Sequence, residues 1–209
     1  MFLPTVFTES RPEVLLQVMR DNSFATLVTA AGGVPFVSHL PVTIAGDGGA
    51  GGIKIRGHVA RANPHWKLLE AGEPVLVIFH GPHAYVSPSW YEDPQNVPTW
   101  NYVTVHAHGR ARLVDAPELR AVLNELVDVH ERTAGKPWRF DLLPVDRADE
   151  LMQAIVGFEI AVERLEGKLK LSQNRSTEDQ RRVRDRLGTS ADPMARDVAT
   201  AMARLMGDR

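Results

Sequence analysis

The run HGPHAYVSPSWYEDPQNVPTWNYVTVHAHG, residues 80–109, gathers all three tyrosines, Trp90, Trp100, four histidines and four prolines of the chain. Aromatic rings with polar tips beside turn-forming prolines build a shaped, semi-rigid surface. Such a surface suits one wall of a slot for a planar ligand. It also suits an aromatic loop plugging the end of a barrel. Three polar groups elsewhere carry complementary chemistry. Ser38, His39, Leu40 and Pro41 lie on one predicted strand, where a proline removes a ladder donor and implies an edge or freed backbone groups. His58, Arg61 and Asn63 run off a strand into a helix start, so that Arg61 and the amides that follow make a phosphate seat. Lys168, Lys170, Ser172, Gln173, Asn174 and Arg175 form the third group, with cationic and neutral donors together. Singly, each is also what a strand-end histidine, a surface arginine or a solvated basic turn would look like. Jointly they match the needs of a phosphorylated planar cofactor: Arg61 and Lys170 for phosphate, Ser38, Asn63 and Gln173 for hydroxyls, Trp100 and Tyr102 flanking rings.

The elements that must hold these residues follow from periodicity. Ser10 and Pro12 open a helix with Val14, Leu15, Val18 and Met19 on one face. Phe24–Ala30 is β-rich, and Gly32-Gly33 turns it into Pro35–Ile44. Ala45–Gly52 reads as a mobile surface loop, Ile53–Val59 as a half-buried strand, and Asn63-Pro64 as the turn into a short helix ending at Leu69. Strands are predicted at Val75–Phe79, Ala84–Val86 and Thr99–Leu113, then a helix over Pro117–Thr133 broken by Gly135-Lys136-Pro137. Ala148–Ile155 is a second helix, Val156–Leu165 a strand, and Thr177–Leu187 with Pro193–Met206 a closing helix pair. Hairpin-length gaps argue against βαβ crossovers. The expected class is mainly β (α+β): a six- or seven-stranded antiparallel split β-barrel with peripheral helices. Residues 1–170 would form the barrel domain and residues 171–209 a C-terminal basic turn and helical extension.

Composition bounds the function. The chain has 209 residues, 44% hydrophobic and 24% charged, with a formal net charge of -2. That balance gives no broad attractive field for nucleic acid. The absence of cysteine excludes disulfides, thiol catalysis and Cys-based zinc sites. The opening MFLPTVFTESRPE lacks a basic leader and a long apolar run, and no stretch approaches the ~20 apolar residues of a membrane span, so a cytoplasmic location is expected and no membrane partner. No GxGxxG or GxxxxGK[ST] follows a predicted strand. His106 and His108 share a strand face, yet no acidic residue within that strand completes a ligand set, and no metal is expected. Haem ligation by such histidines is a related alternative.

The motifs SHLPV at 38–42, GHVARANPHW at 57–66, FHGPHAYVSPSWY at 79–91, VPTWNYVTVHAHG at 97–109, IVGFEI at 155–160 and EGKLKLSQNRS at 166–176 are long and in order. With them the chain resembles the PaiB-type FMN-binding proteins, a family of negative transcriptional regulators. The resemblance implies a homodimeric FMN-binding split barrel with flavin held non-covalently at the subunit interface. It implies that Ser38, His39, Leu40 and Pro41 pass beneath the isoalloxazine, that His58, Arg61 and Asn63 grip phosphate and ribityl, and that Trp100 and Asn101 contact the ring. Lys170 and Gln173 would close the site, from the partner subunit. DNA is a possible partner through Arg181, Arg182, Arg184 and Arg186, although Glu178, Asp179 and Asp185 are interleaved among them. The alternative is an FMN-dependent oxidoreductase or flavin reductase without DNA contact.

Overall fold

The computed structural model describes residues 1–47, 52–93, 95–132 and 138–207. Part of the predicted Gly-rich loop (48–51) and the predicted helix break at Gly135-Lys136-Pro137 lie outside them. The strands are β1 (Thr8–Glu9), β2 (Phe24–Ala31), β3 (Val34–Ala45), β4 (Lys54–Ala60), β5 (Pro74–Val86), β6 (Thr99–Leu113) and β7 (Ile155–Lys170). The helices are α1 (Pro12–Asp21), α2 (His65–Glu70), α3 (Ala116–Glu131), α4 (Val145–Gln153), α5 (Thr177–Gly188) and α6 (Pro193–Gly207). The sheet order is β1-β7-β4-β3-β2-β5-β6, and a further β7–β6 pairing closes six of the strands into a ring.

Two compact units divide the chain: Met1–Arg11 with His80–Val105 and Glu166–Arg209, and Pro12–Phe79 with His106–Leu165. They are called unit 1 and unit 2 below. In unit 2, β2 and β3 form a hairpin from Ala31↔Val34 to Phe24↔Pro41. Its turn needs two left-handed residues, which Gly32 (φ 61) and Gly33 (φ 84) supply without steric cost. β4 pairs with β3 only from Val42↔Gly57 onward, so β3 is locally an edge at Pro41 and the missing N–H breaks no ladder there. Alternation then sorts the faces: Ile55, Gly57 and Val59 of β4 point inward, as do Val75, Val77 and Phe79 of β5. Phe79 and Phe158 are fully buried. Gly109 sits where β6 and β7 close the ring, and a Cβ there would stand 2.1 Å from the Ala161 carbonyl oxygen.

α3 opens on a capping box. The Asp115 carboxylate accepts from Glu118 N at 2.9 Å, and Glu118 accepts in return from Asp115 N. Its apolar face reaches Phe140, Ala148 and Met152 through Leu119. The buried Glu159 carboxylate of β7 lies among cations, 2.8 Å from Arg56 Nε, 3.0 Å from Arg112 Nη2 and 3.2 Å from Lys54 Nζ. Burial pushes its pKa up, but these hydrogen bonds prevail and hold it below the usual carboxylate range. In unit 1, β1 pairs with the end of β7 at Thr8↔Lys168.

Three expectations change. Val75–Phe79 and Ala84–Val86 are one strand, because Gly81 lets the Val103 backbone approach to 3.2 Å of where a Cβ would be and the chain stays extended through Pro82. β7 continues to Lys170 instead of stopping at Leu165, and β1 pairs with it at Gly167 and Lys168. α4 ends at Gln153, and Ile155 belongs to β7. Among the described residues no helix is long and apolar enough to cross a membrane.

Candidate functional site

The sequence-predicted site residues fall into two groups, one in each unit. In unit 2, β3 alternation buries Ser38 and Leu40 and turns His39 outward, where its Nδ1 lies 3.1 Å from Thr26 Oγ1. Ser38 Oγ accepts from Asn63 Nδ2 at 3.0 Å and lies 2.8 Å from His65 Nδ1. His65 is fully buried, and its Nε2 lies 3.0 Å from the buried Thr29 hydroxyl. A neutral His65 bridges the Ser38 and Thr29 hydroxyls, one ring nitrogen donating and the other accepting. Burial lowers the His65 pKa, in keeping with a neutral ring. The hydroxyl of Ser38 and the amide of Asn63 are therefore engaged inside the protein, pinning the start of α2 onto β2 and β3. The α2 amides are also engaged: His65 N meets Asn63 Oδ1 at 3.1 Å and Lys67 N meets Pro64 O.

Two groups in unit 2 remain poised. His58 on β4 has an Nδ1 that is buried with no hydrogen-bond partner, and burial lowers its pKa. Arg61 is bolted to the α4–β7 junction, donating from Nε to Gln153 O (2.7 Å) and from Nη2 to Ile155 O (3.0 Å). Those acceptors are neutral carbonyls, and among the described residues no carboxylate pairs with the guanidinium. Arg61 also borders a cleft of about 490 Å³ with Leu119 and Met152 on its wall. A charged group held in place by neutral acceptors keeps its field for an incoming anion.

Unit 1 brings Trp100, Asn101, Lys170 and Gln173 together. Trp100 is 53% exposed, its ring 6.0 Å from Tyr85 and 6.3 Å from His83, and His83 stacks on His80 at 4.8 Å. Lys170 donates to Thr99 Oγ1 and, at 2.7 Å, to Trp100 O. Asn101 is 1% exposed and exchanges hydrogen bonds with Ser172. Gln173 folds back on its own turn, accepting from Leu171 N and donating to Leu169 O. Sequence reasoning overlooked His65 and Thr29, the partners of Ser38. Their only signal was a histidine two places after Asn63 inside GHVARANPHW.

Three comparisons bear on this arrangement. A family model described as "Putative FMN-binding domain" matches residues 1–164. The chain belongs to this FMN-binding family. Within it, "Protease synthase and sporulation protein PAI 2" of Bacillus subtilis is 38% identical over 202 residues, covering 97% of this chain and 96% of its own length. An uncharacterized protein of Emericella nidulans is 30% identical over 250 residues, covering 100% of this chain and 97% of its own. Among solved structures, the FAD and haem binding protein from Mycobacterium smegmatis superposes with a TM-score of 0.62 at 18% identity, over 83% of this chain and 78% of that one. The flavocytochrome Anf3 from Azotobacter vinelandii gives 0.62 at 19%, over 83% and 74%. The family assignment fixes FMN as the family's cofactor, and the structural likeness supports the split-barrel fold.

Proposed function

We propose that this chain binds FMN non-covalently as a homodimer and serves as a flavin-responsive regulator. The observation that carries the cofactor reading is Arg61, a guanidinium held by two backbone carbonyls and, among the described residues, paired with no carboxylate. A phosphate dianion is the complement of such a group. The unpartnered His58 Nδ1 on the preceding strand suits a ribityl hydroxyl. The residues present therefore fit FMN. When bound, FMN supplies electron transfer through its isoalloxazine, and the side chains bind and orient it.

The homodimer reading is supported by an apolar outer face in unit 2. Phe24 and Val37 are 70% and 46% exposed, and the registers Val28↔Val37, Val28↔Leu76 and Thr26↔Ile78 place half-exposed Val28, Leu76 and Ile78 on that same side. An isologous pairing would cover the face with its own copy. The regulatory reading rests on the resemblance to the PaiB-type regulators, and the Bacillus relative is itself described as a protease synthase and sporulation protein. A second reading, an FMN-dependent oxidoreductase without DNA contact, is favoured by α5: Arg182 pairs with Glu178 and Glu92, and Arg184 with Asp185. Charge neutralised in this way is weakly available to phosphates.

Titration of purified apoprotein with FMN, followed by ring fluorescence, tests the cofactor reading, and an absence of saturable quenching would sink it. Salt-sensitive binding to a promoter fragment supports the regulator. Oxidation of NAD(P)H by the loaded protein supports the oxidoreductase.

A further inference from the structure

Unit 1 holds a second concentration of positive charge, with which no carboxylate among the described residues forms an ion pair, although Asp179 lies near Tyr91. Lys168 is buried, its ammonium 3.1 Å from the Phe2 carbonyl oxygen and 5.3 Å from the centre of the Tyr102 ring. Lys170 has only the neutral acceptors Thr99 Oγ1 and Trp100 O. Arg175 lies 4.6 Å over the Tyr91 ring and donates to Asn96 Oδ1. Burial, and then the charges of Lys168 and Arg175, lower the Lys170 pKa. Gathering like charges in partly desolvated surroundings is unfavourable unless an anion shares the space.

An independent observation points the same way. Tyr91 is 5% exposed, and no group meets its hydroxyl with good hydrogen-bond geometry, although the Arg175 guanidinium and the Asp179 carboxylate lie nearby. It lines one pocket of about 150 Å³ together with Lys170, Arg175, Asn101 and Ser172. Ser172 takes the left-handed conformation (φ 68) that a non-glycine residue adopts at some cost. Buried hydroxyls almost always find partners, so an oxygen without a well-aligned partner in a residue lining a cationic pocket leaves a place for an acceptor. The volume is below the ~300 Å³ of pockets that enclose drug-sized ligands, which rules out an isoalloxazine and leaves room for a small oxyanion.

We propose that this pocket binds the phosphate or carboxylate group of a second, acidic small molecule, separate from FMN. FMN has one phosphate, and the distinction rests on the reading that Arg61 receives it. Lys170 and Arg175 would supply the charge, and the Tyr91 hydroxyl a neutral donor. The acidic molecule is either a partner in the flavin's redox reaction or an effector.

Calorimetric titration of inorganic phosphate into apoprotein and FMN-loaded protein tests this. One saturable site per chain is expected in FMN-loaded protein, and apoprotein gains a second at the vacant Arg61 seat, which Arg61→Ala removes. Arg175→Gln should weaken phosphate at least tenfold, and Tyr91→Phe about threefold, while FMN affinity in both variants changes less than twofold. Tyr91→Phe removes a single oxygen, so it remains informative if Arg175→Gln folds poorly. Absence of a saturable site in FMN-loaded protein overturns the inference. So does competition between phosphate and FMN with both weakened alike in Arg175→Gln, because the pocket would then be the flavin's own. Arg61→Ala separates the two claims: the inference requires phosphate binding to persist there whatever happens to FMN, and its loss counts against the pocket.

Discussion

Nδ1 of His65 lies 2.8 Å from the hydroxyl of Ser38, although the two residues belong to different elements and 27 positions separate them. The contact locks the turn that carries Arg61 and Asn63 against the strand carrying the SHLPV motif. Its integrity depends on an uncharged imidazole, because a second ring proton removes the ring's acceptor and places a charge in a buried site.

That dependence predicts acid sensitivity. The folded pKa of His65 lies below the unfolded value of about 6.5, so below that pH the unfolded chain takes up a proton that the folded chain refuses. Stability contributed by neutral His65 is full above that pH and declines as pH falls toward the folded pKa. Urea midpoints measured from pH 7.5 to 5 should drop, and His65→Gln should flatten the drop while costing about 1–3 kcal/mol at pH 7.5. An unchanged slope in the variant would assign the sensitivity elsewhere.

Glu159 titrates in the same sense, in a more acidic range. Its folded pKa is lowered, so its contribution is present above the unfolded carboxylate pKa of about 4.3 and disappears as pH falls through the folded value. Glu159→Gln leaves Arg56 and Arg112 facing a neutral amide. The expected cost near neutrality is about 1–3 kcal/mol, below the ~3–5 for a fully buried pair because both arginines reach solvent. Denaturant melts at pH 7 and pH 3 should show the variant and parent converging in acid.

Gly109→Ala should be severe. The added carbon would stand 2.1 Å from the Ala161 carbonyl oxygen, and relief requires β6 and β7 to separate. We expect a loss of about 3 kcal/mol or more. Gly207→Ala, where nothing lies within 4 Å, is the matched control and should melt like the parent.

Arg61→Ala should weaken FMN at least tenfold if its guanidinium meets the phosphate, a charge-assisted contact of about 1.5–3 kcal/mol. Fluorescence titration gives the ratio directly, and equal affinities would remove Arg61 from the site.

The hairpin over Gly32-Gly33 was legible because its signal is local: two glycines between two apolar runs. The capping residues of α3 are local in the same way. The seams of the site were not. Asn63 reads as a free ribityl partner until β3 lies beside it, and Arg61 finds its carbonyl acceptors 92 and 94 positions away. The Gly81-Pro82 pair looked like a strand break because sequence alone does not reveal that Val103 lies alongside. The basic stretch 168–170 looked like a turn for the same reason, since the short β1 strand that pairs with Lys168 lies far away in the sequence.

β7 runs without a break from Ile155 to Lys170, taking β4 as its neighbour early and β1 late. The family match stops at residue 164, within that strand. A polypeptide trimmed at that point would strip β1 of its only template, and with it the anchorage of the N-terminal residues. Amide exchange in Thr8 and Glu9 should consequently report on the health of a segment more than 150 positions downstream.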